Sequence, residues 1–227
     1  MSPAFLQQLF LSIIIAGVWI SAATLIAERL GSRTGGIVGN LPSTILVSLL
    51  FIGITQSPEF AAEATVSVPL GMTLSTLFLF VFIALLPKGL ITALTVSLLV
   101  WLLLAIGSSF FQETGIFIWV IVYAVAALFT YLLSKHLLGI KALGRTGRKF
   151  SAVQMILRAL FAGGVVGGAV LVGQSGSSFW AVIFASFPAM MLSSMVILSL
   201  SAGTAFARAT GMTMLLASTN IVIYSFC

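Results

Sequence analysis

The chain has 227 residues, of which 60% are hydrophobic and only 6% are charged, and its mean hydropathy is +1.25. This composition excludes an ordinary soluble domain and predicts an integral membrane protein with the lipid bilayer as its surroundings. A net charge of +6 would suggest nucleic-acid binding in a soluble chain. Here the basic residues fall in short segments between apolar runs, so we attribute them to membrane topology and expect no nucleic-acid partner.

Eight apolar segments of about 20 residues, the length that crosses a bilayer, follow one another along the chain. No Lys or Arg precedes the first segment, which is therefore predicted to be a retained helix and not a signal peptide. The sequence Pro87-Lys88-Gly89, which stops helices, separates the third segment from the fourth. The predicted spans are 4–27, 35–56, 65–86, 89–106, 116–133, 152–172, 178–200 and 205–226.

The distribution of basic residues supports this count of spans. With eight alternating crossings, all ten Lys and Arg residues fall on one side of the membrane, and the positive-inside rule makes that side cytoplasmic. We therefore expect an integral protein of the plasma (cytoplasmic, or inner) membrane with both termini outside. The basic residues are Arg29, Arg33, Lys88, Lys135, Lys141, Arg145, Arg148, Lys149, Arg158 and Arg208.

An internal repeat emerges when the sequence is shifted by 146 residues. The shift places Pro42 on Pro188 and Gly17 on Gly163. After a six-residue adjustment, the sequence Gly-Met-Thr at 71–73 falls on the same sequence at 211–213. This shared order of features along the chain predicts a duplication. The first shift also pairs Ile37 with Ile183, Leu46 with Leu192 and Ser48 with Ser194.

The repeat and the topology together predict three parts: a first repeat of three spans (1–88), two linking spans with a basic cytoplasmic loop (89–150) and a second repeat of three spans (151–227). The first repeat begins outside and the second inside, so the two are antiparallel. Many secondary transporters have this inverted-topology arrangement. We therefore predict an all-α, polytopic transmembrane helix bundle of about eight spans with an inverted internal repeat.

A proline interrupts the second span of the first repeat, and another interrupts its counterpart. Proline lacks a backbone N–H and clashes with the carbonyl four residues earlier, so the freed groups need partners or line a polar cavity. The N-terminus of the second half of a split helix also presents partial positive charge near the middle of the membrane. This charge suits an anionic or carbonyl-bearing ligand. The simpler interpretation is that both prolines only kink packed helices. The candidate substrate-binding residues are Asn40, Pro42, Ser43, Thr44, Ser186, Pro188, Ser194 and Asn220.

Few charged residues lie within or beside the predicted spans. Arg158 lies nearly two turns inside the sixth span, from which its side chain can reach the cytoplasmic face. The alternative is a contact with a substrate or with Glu28, its candidate charge partner. Glu59 and Glu63 lie four residues apart and are expected to be solvated in an outer loop.

The sixth span carries two overlapping GxxxG patterns, which allow helix backbones to approach closely. We predict that they serve helix packing, either within the fold or in a homodimer. No strand precedes them, so they do not indicate nucleotide binding. The four residues are Gly163, Gly164, Gly167 and Gly168.

Residues that catalysis or metal binding would need are scarce. The chain has no Asp, and its single His, His136, has no acidic neighbour in the sequence. The single cysteine, Cys227, excludes an intramolecular disulfide and a thiolate metal cluster. We expect neither an enzyme nor a cofactor or metal site.

The stretches GGIVGNLPSTILVSLLFIGITQSPEF and FWAVIFASFPAMMLSSMVILSLSAGTAFARATGM resemble the central motif of small GlpM-like membrane proteins. In that family a proline-bearing apolar helix is followed by a polar turn and another apolar helix. The resemblance implies that this chain is two such units fused head to tail. It implies no activity or substrate.

These features predict a carrier that moves a small solute by alternating access, with a pocket where the second and seventh spans meet. Two alternatives stay open. A channel or lipid flippase would have a continuous polar pore or a lateral groove. A non-transporting interaction protein would have a dry, packed interface between those spans.

Overall fold

The computed structural model describes residues 3–29, 43–140 and 151–225, apart from the side chains of residues 20, 23–29 and 43. Throughout these ranges the chain forms helices joined by short turns and no β-strand, so the all-α prediction is confirmed. Two 3-10 turns lie at Leu86–Lys88 and Ser109–Phe111. The α-helices are α1 (Pro3–Arg29), α2 (Ser43–Thr55), α3 (Pro58–Thr65), α4 (Val68–Leu85), α5 (Leu90–Ser108), α6 (Ile116–His136), α7 (Ala152–Gly173), α8 (Ser178–Ala185), α9 (Ala189–Ala202), α10 (Thr204–Ala217) and α11 (Thr219–Tyr224).

Several helical segments have the length and composition of membrane spans, as expected for a membrane-embedded protein. Two of them, α5 and α6, bury only a narrow stripe of small, aromatic and hydroxyl side chains and expose their leucine, isoleucine and phenylalanine side chains. Among the described residues there are five such segments, so the predicted count of eight is not confirmed. They are Val68–Lys88, Leu90–Phe111, Ile116–His136, Ala152–Gly173 and Ser178–Ala202.

The structure differs from the prediction at two places. The last predicted span is divided at Ser218 into α10 and α11, which have 14 and 6 residues. The predicted outer loop around Glu59 and Glu63 is the short helix α3. The Ser57 hydroxyl caps α3 by accepting a hydrogen bond from the Phe60 N–H at 3.1 Å. A backbone hydrogen bond, and then the Ser57 side chain, lower the pKa of Glu59 in the first turn.

The described helices belong to two compact units. Unit 1 comprises Met1–Val68 and Arg145–Met190, together with Cys227. Unit 2 comprises Pro69–Gly144 and Met191–Phe226. The predicted division into 1–88, 89–150 and 151–227 follows the sequence repeat and not compactness, and it stays a prediction.

Unit 1 depends on the close approach of α1 and α7. A Cβ on Gly163 would lie 2.9 Å from the Ile13 carbonyl oxygen, and a Cβ on Gly167 would lie 2.7 Å from Ile13 Cγ1. A Cβ on Gly17 would lie 3.5 Å from the Ala159 carbonyl oxygen. Contacts therefore move backwards along α7 as they move forwards along α1, so the two helices are antiparallel.

The remaining helices of unit 1 pack against this pair. Helix α2 contacts α1, α7 and α8, and the short helix α3 contacts α2 and α8. The glycine stripe of α7 consists of Gly163, Gly164, Gly167 and Gly168. It also allows α8 to pack closely, because a Cβ on Gly168 would clash with the Phe184 ring. Their shared apolar core consists of Phe5, Ala16, Val47, Phe51, Ile52, Val166, Ala169, Val170, Ala181 and Ala185.

In unit 2, α10 packs closely on α4. A Cβ on Gly211 would lie 2.5 Å from Ile83 Cγ2 and 3.1 Å from Met195 Sδ. The rings of Phe78 and Phe82, both fully buried, lie 6.2 Å apart in the core of this unit. Helix α10 also packs against α6.

A long-range hydrogen bond joins α10 to the end of α4. In a continuing α-helix the Ile83 carbonyl would accept a hydrogen bond from the N–H of residue 87, but Pro87 has none. Arg208 Nε donates to this carbonyl at 2.9 Å. The arginine thus supplies the donor that the proline lacks.

We expect Gly163→Ala to destabilise the protein, because the added methyl group meets the Ile13 backbone. Overpacking of this kind costs about 1–3 kcal/mol, which lowers the melting temperature by about 2–12 °C in a chain of this size. Gly164→Ala is the matched control, since nothing lies within 4 Å of its Cβ position. Thermal melting of both variants in detergent is the measurement. Equal melting temperatures would contradict the packing of α7 on α1.

We expect Arg208→Met to destabilise the wild-type chain more than it destabilises the Pro87→Ala variant. An alanine at this position has a backbone N–H that can donate to the Ile83 carbonyl, so the arginine becomes less necessary. A hydrogen bond from a charged donor contributes about 1.5–3 kcal/mol. The double-mutant cycle, measured by denaturant titration in mixed micelles, should show a coupling of at least about 0.5 kcal/mol. Strict additivity would be inconsistent with this substitution of one donor by the other.

Candidate functional site

The helix that contains Pro188 is interrupted and not merely kinked. Helix α8 ends at Ala185 and α9 begins at Ala189, and residues 186–188 between them are not helical. Together the two helices form one apolar segment, Ser178–Ala202, of membrane-spanning length. The interruption therefore lies inside a candidate membrane span, where non-helical backbone requires internal hydrogen-bond partners.

The backbone around the interruption finds such partners locally. Pro188 cannot donate to the Phe184 carbonyl, and the Phe187 N–H donates to it at 3.0 Å. The Ala189 N–H donates to the Phe187 carbonyl at 2.7 Å, where a continuous helix would have it donate to Ala185. The Ser186 N–H completes the last turn of α8 by donating to the Val182 carbonyl at 2.8 Å.

Helix α2 is the described part of the second predicted span, 35–56. Its first residue is Ser43, and the shift of 146 residues places Ser43 on Ala189, the first residue of α9. Thr44 is half-buried in the first turn of α2. Asn40 and Pro42 lie outside the described residues, as does the side chain of Ser43.

The remaining predicted site residues belong to different units. Ser186 and Pro188 lie in unit 1, whereas Ser194 and Asn220 lie in unit 2. Ser186 and Ser194 are buried, and Asn220 is half-buried. Within unit 1, α2 packs against α8, so the helix that follows Pro42 touches the helix that precedes Pro188.

Arg158 is buried inside unit 1, and its side chain is only 7% exposed. Its Nη2 donates to the Met190 sulfur at 3.9 Å, and Met190 is the second residue of α9. The guanidinium therefore lies beside the first turn after the interruption and does not extend to an exposed face of the unit. The side chain of Glu28, its predicted partner, lies outside the described residues.

Ser48 is a buried hydroxyl that the sequence analysis used only to align the repeats. It is 0% exposed, and its Oγ has no hydrogen-bond partner among the described residues. It lies on α2 between Val47 and Phe51, which belong to the same apolar cluster as Ala185. An unpaired hydroxyl in such a core carries a desolvation cost of about 1–3 kcal/mol.

The interruption between α10 and α11 carries a cluster of three hydroxyl groups, from Tyr123, Ser218 and Thr219. Tyr123 of α6, which is buried, lies with its hydroxyl 2.8 Å from Ser218 Oγ and 3.1 Å from Thr219 Oγ1. Ser218 Oγ also donates to the Leu215 carbonyl at 3.2 Å. The triplet at 218–220 was visible in the sequence, but nothing in it identified a tyrosine 95 residues away as its partner.

The described residues bring no group of three or more His, Cys, Asp or Glu side chains together that could hold a metal ion. The polar groups around Pro188 are hydroxyls, backbone amides and one guanidinium. Such groups can bind a small polar or negatively charged molecule by hydrogen bonds. Among the described residues they include no nucleophile–base pair of the kind that covalent catalysis needs.

No model of a known protein family matches this chain, and neither does any curated protein or solved structure.

We expect Tyr123→Phe to destabilise the α10–α11 connection, because Ser218 and Thr219 lose their shared partner. Loss of a buried hydrogen bond costs about 0.5–1.5 kcal/mol, and more if a polar group is left unsatisfied. Hydrogen exchange at residues 218–224 should become faster, as measured by mass spectrometry. Tyr131→Phe on the same helix is the control, since Tyr131 is not part of this cluster. Equal exchange in both variants would show that the cluster does not hold the connection.

Proposed function

We propose that the protein is a secondary transporter that carries a small solute by alternating access. The observation that carries this proposal is the interruption at residues 186–188 within a membrane-length apolar segment. Transporters with inverted repeats commonly bind substrate where such discontinuous helices expose backbone groups near the middle of the bilayer. We propose that Ser186 and the backbone of the first turn of α9 contact the substrate there.

An inverted repeat is the second part of this proposal. Its first helices would be α1 and α7, which are antiparallel. Their close contacts pair Gly17 with Ala159 and Ile13 with Gly163. The shift of 146 residues exchanges these two pairs, because it carries Ile13 to Ala159 and Gly17 to Gly163. Such reciprocal contacts are those of a two-fold interface, and they support the proposed duplication.

In this proposal the repeats are 1–88 and 151–227, the chain crosses the plasma membrane eight times, and its basic loops are cytoplasmic. Three of the four stripe glycines already serve packing inside unit 1, against Ile13 and Phe184. A homodimer on this stripe would therefore make contact at Gly164, which has nothing within 4 Å of its Cβ position.

Uptake into proteoliposomes tests the transporter proposal. The purified full chain is compared with empty liposomes across a panel of neutral, cationic and anionic solutes. We expect at least one solute to accumulate by a saturable process. Asn40→Ala should lower the apparent affinity about tenfold, the effect of losing one hydrogen bond of about 1.4 kcal/mol. Pro188→Ala should reduce uptake because it allows α8 and α9 to join.

Pro69→Ala is the matched control for the proline variant. Pro69 occupies the first turn of α4, where proline interrupts no helix, so this variant should retain uptake. If no solute enters faster than into empty liposomes, the transporter proposal is wrong. Full uptake by Pro188→Ala, with the helix shown to be continuous, would remove the interruption from the mechanism.

A further inference from the structure

We propose that the interruption between α10 and α11 binds a small uncharged amide. All the residues that carry this proposal belong to unit 2, whereas residues 186–188 belong to unit 1. The binding therefore does not rest on the transporter proposal. It rests on two buried polar groups that have no partner among the described residues, and on the hydroxyl cluster of Tyr123, Ser218 and Thr219.

The first buried group is the indole N–H of Trp119 on α6. The side chain is 8% exposed, and its Nε1 has no hydrogen-bond partner among the described residues. An indole only donates, so this N–H needs an acceptor. Trp119 lies four residues before Tyr123 on the buried stripe of α6, where side chains one turn apart are neighbours. Helical side chains also lean towards the amino terminus, which brings Tyr123 towards Trp119.

The second buried group is the Thr76 hydroxyl on α4. It is 0% exposed, and its Oγ1 has no hydrogen-bond partner in the part of the chain that the structure describes. A threonine within a helix usually donates to a carbonyl three or four residues earlier, as Thr73 does to Pro69 at 2.9 Å. Thr76 therefore carries a donor and an acceptor that its own helix leaves unused.

The packing of α10 on α4 places Thr76 near the same interruption. Arg208 bonds to the Ile83 carbonyl, and a Cβ on Gly211, one turn later on α10, would meet both Ile83 and Leu79. Contacts therefore move backwards along α4 as they move forwards along α10, so the two helices are antiparallel. Thr76 lies one turn before Leu79 on the same face of α4. It therefore faces the turn of α10 that follows Gly211 and leads to the interruption.

The hydroxyl cluster supplies hydrogen-bond acceptors. Tyr123 Oη lies 2.8 Å from Ser218 Oγ and 3.1 Å from Thr219 Oγ1. Ser218 Oγ donates to the Leu215 carbonyl at 3.2 Å. The hydrogen bonds of the cluster can use all of its hydroxyl protons, but each hydroxyl oxygen keeps at least one of its lone pairs. The oxygens of the cluster can therefore accept hydrogen bonds from a ligand.

The chemistry of these groups selects an uncharged ligand that has a carbonyl beside N–H groups. The carbonyl oxygen can accept from both the Trp119 indole and the Thr76 hydroxyl, and the N–H groups can donate to the cluster. None of these side chains is charged, so an ion would lack a balancing charge in a low dielectric. An amide meets both requirements. Molecules with hydroxyl groups alone are the competing class, because a hydroxyl both donates and accepts.

Thermal melting of the purified full chain in detergent tests the proposal, with acetamide at millimolar concentrations as the probe. Three molecules of similar size are its analogues. Acetone has the carbonyl but no N–H, acetate carries a charge, and ethylene glycol has only hydroxyl groups. We expect acetamide, but none of the analogues, to raise the melting temperature in a saturable manner. Exclusion of a solute from the protein surface would not saturate.

Variants of the two buried groups separate binding from folding. Trp119→Phe removes the N–H donor and should lower the acetamide affinity about tenfold, whereas Trp180→Phe in unit 1 should not change it. Thr76→Val removes a buried, unpaired hydroxyl. It should raise the melting temperature without ligand by at least about 2 °C and also weaken acetamide binding, a combination that a purely structural threonine would not produce. Thr95→Val removes an exposed hydroxyl of α5 and is its control.

Several outcomes would overturn the proposal. These are the absence of saturable stabilisation by acetamide, equal stabilisation by acetone or acetate, and unchanged acetamide affinity in both Trp119→Phe and Thr76→Val. Stabilisation by ethylene glycol alone would assign the site to hydroxyl compounds and exclude the amide. If Trp119→Phe fails to fold, Thr76→Val still decides the outcome. Amide binding without uptake of any solute would support this inference and contradict the transporter proposal, so the two can fail separately.

Discussion

Backbone hydrogen bonding is the constraint on which the rest of this structure depends. In the core of a membrane no water is available to hydrogen-bond the N–H and C=O groups at a helix break. These groups therefore need hydrogen-bond partners inside the protein. At Pro188 the turn supplies them itself, through the Phe187 N–H. At Pro87 a side chain from another helix, Arg208, donates to the freed Ile83 carbonyl. At Ser218, where no proline is present, the Tyr123 hydroxyl joins the side chains beside the break.

Close packing makes these arrangements possible. The antiparallel pair α1 and α7 approaches so closely that Gly163 and Gly167 have no space for a Cβ beside Ile13. Without a hydrophobic force between helices in lipid, such contact between small residues is a main source of helix association. Gly211 likewise allows α10 to pack closely on α4, where Arg208 donates its hydrogen bond to Ile83. Small residues and polar partners thus occur together in both units.

Few charged side chains lie inside the described helices, and Arg158 is a buried one. Among the described residues, Lys88 lies at the Pro87 turn and Lys135 in the last turn of α6, positions at helix ends that are common for basic residues in membrane proteins. Arg158 is instead buried at the turn that follows the interruption. The same turn belongs to the segment from which we infer transport.

The sequence by itself determined the features that depend on local chemistry. Apolar composition determined the helical class and its membrane setting, and Pro188 determined where α8 ends and where α9 begins, because proline lacks the N–H that a helix needs. Only the tertiary structure decided which distant groups meet. The hydrogen bonds of Tyr123 and Arg208 join residues about 95 to 125 positions apart. No local sequence pattern encodes such contacts. The same holds for Arg158, whose sequence position allowed it to reach the cytoplasmic face, whereas packing of α7 in unit 1 directs it to Met190.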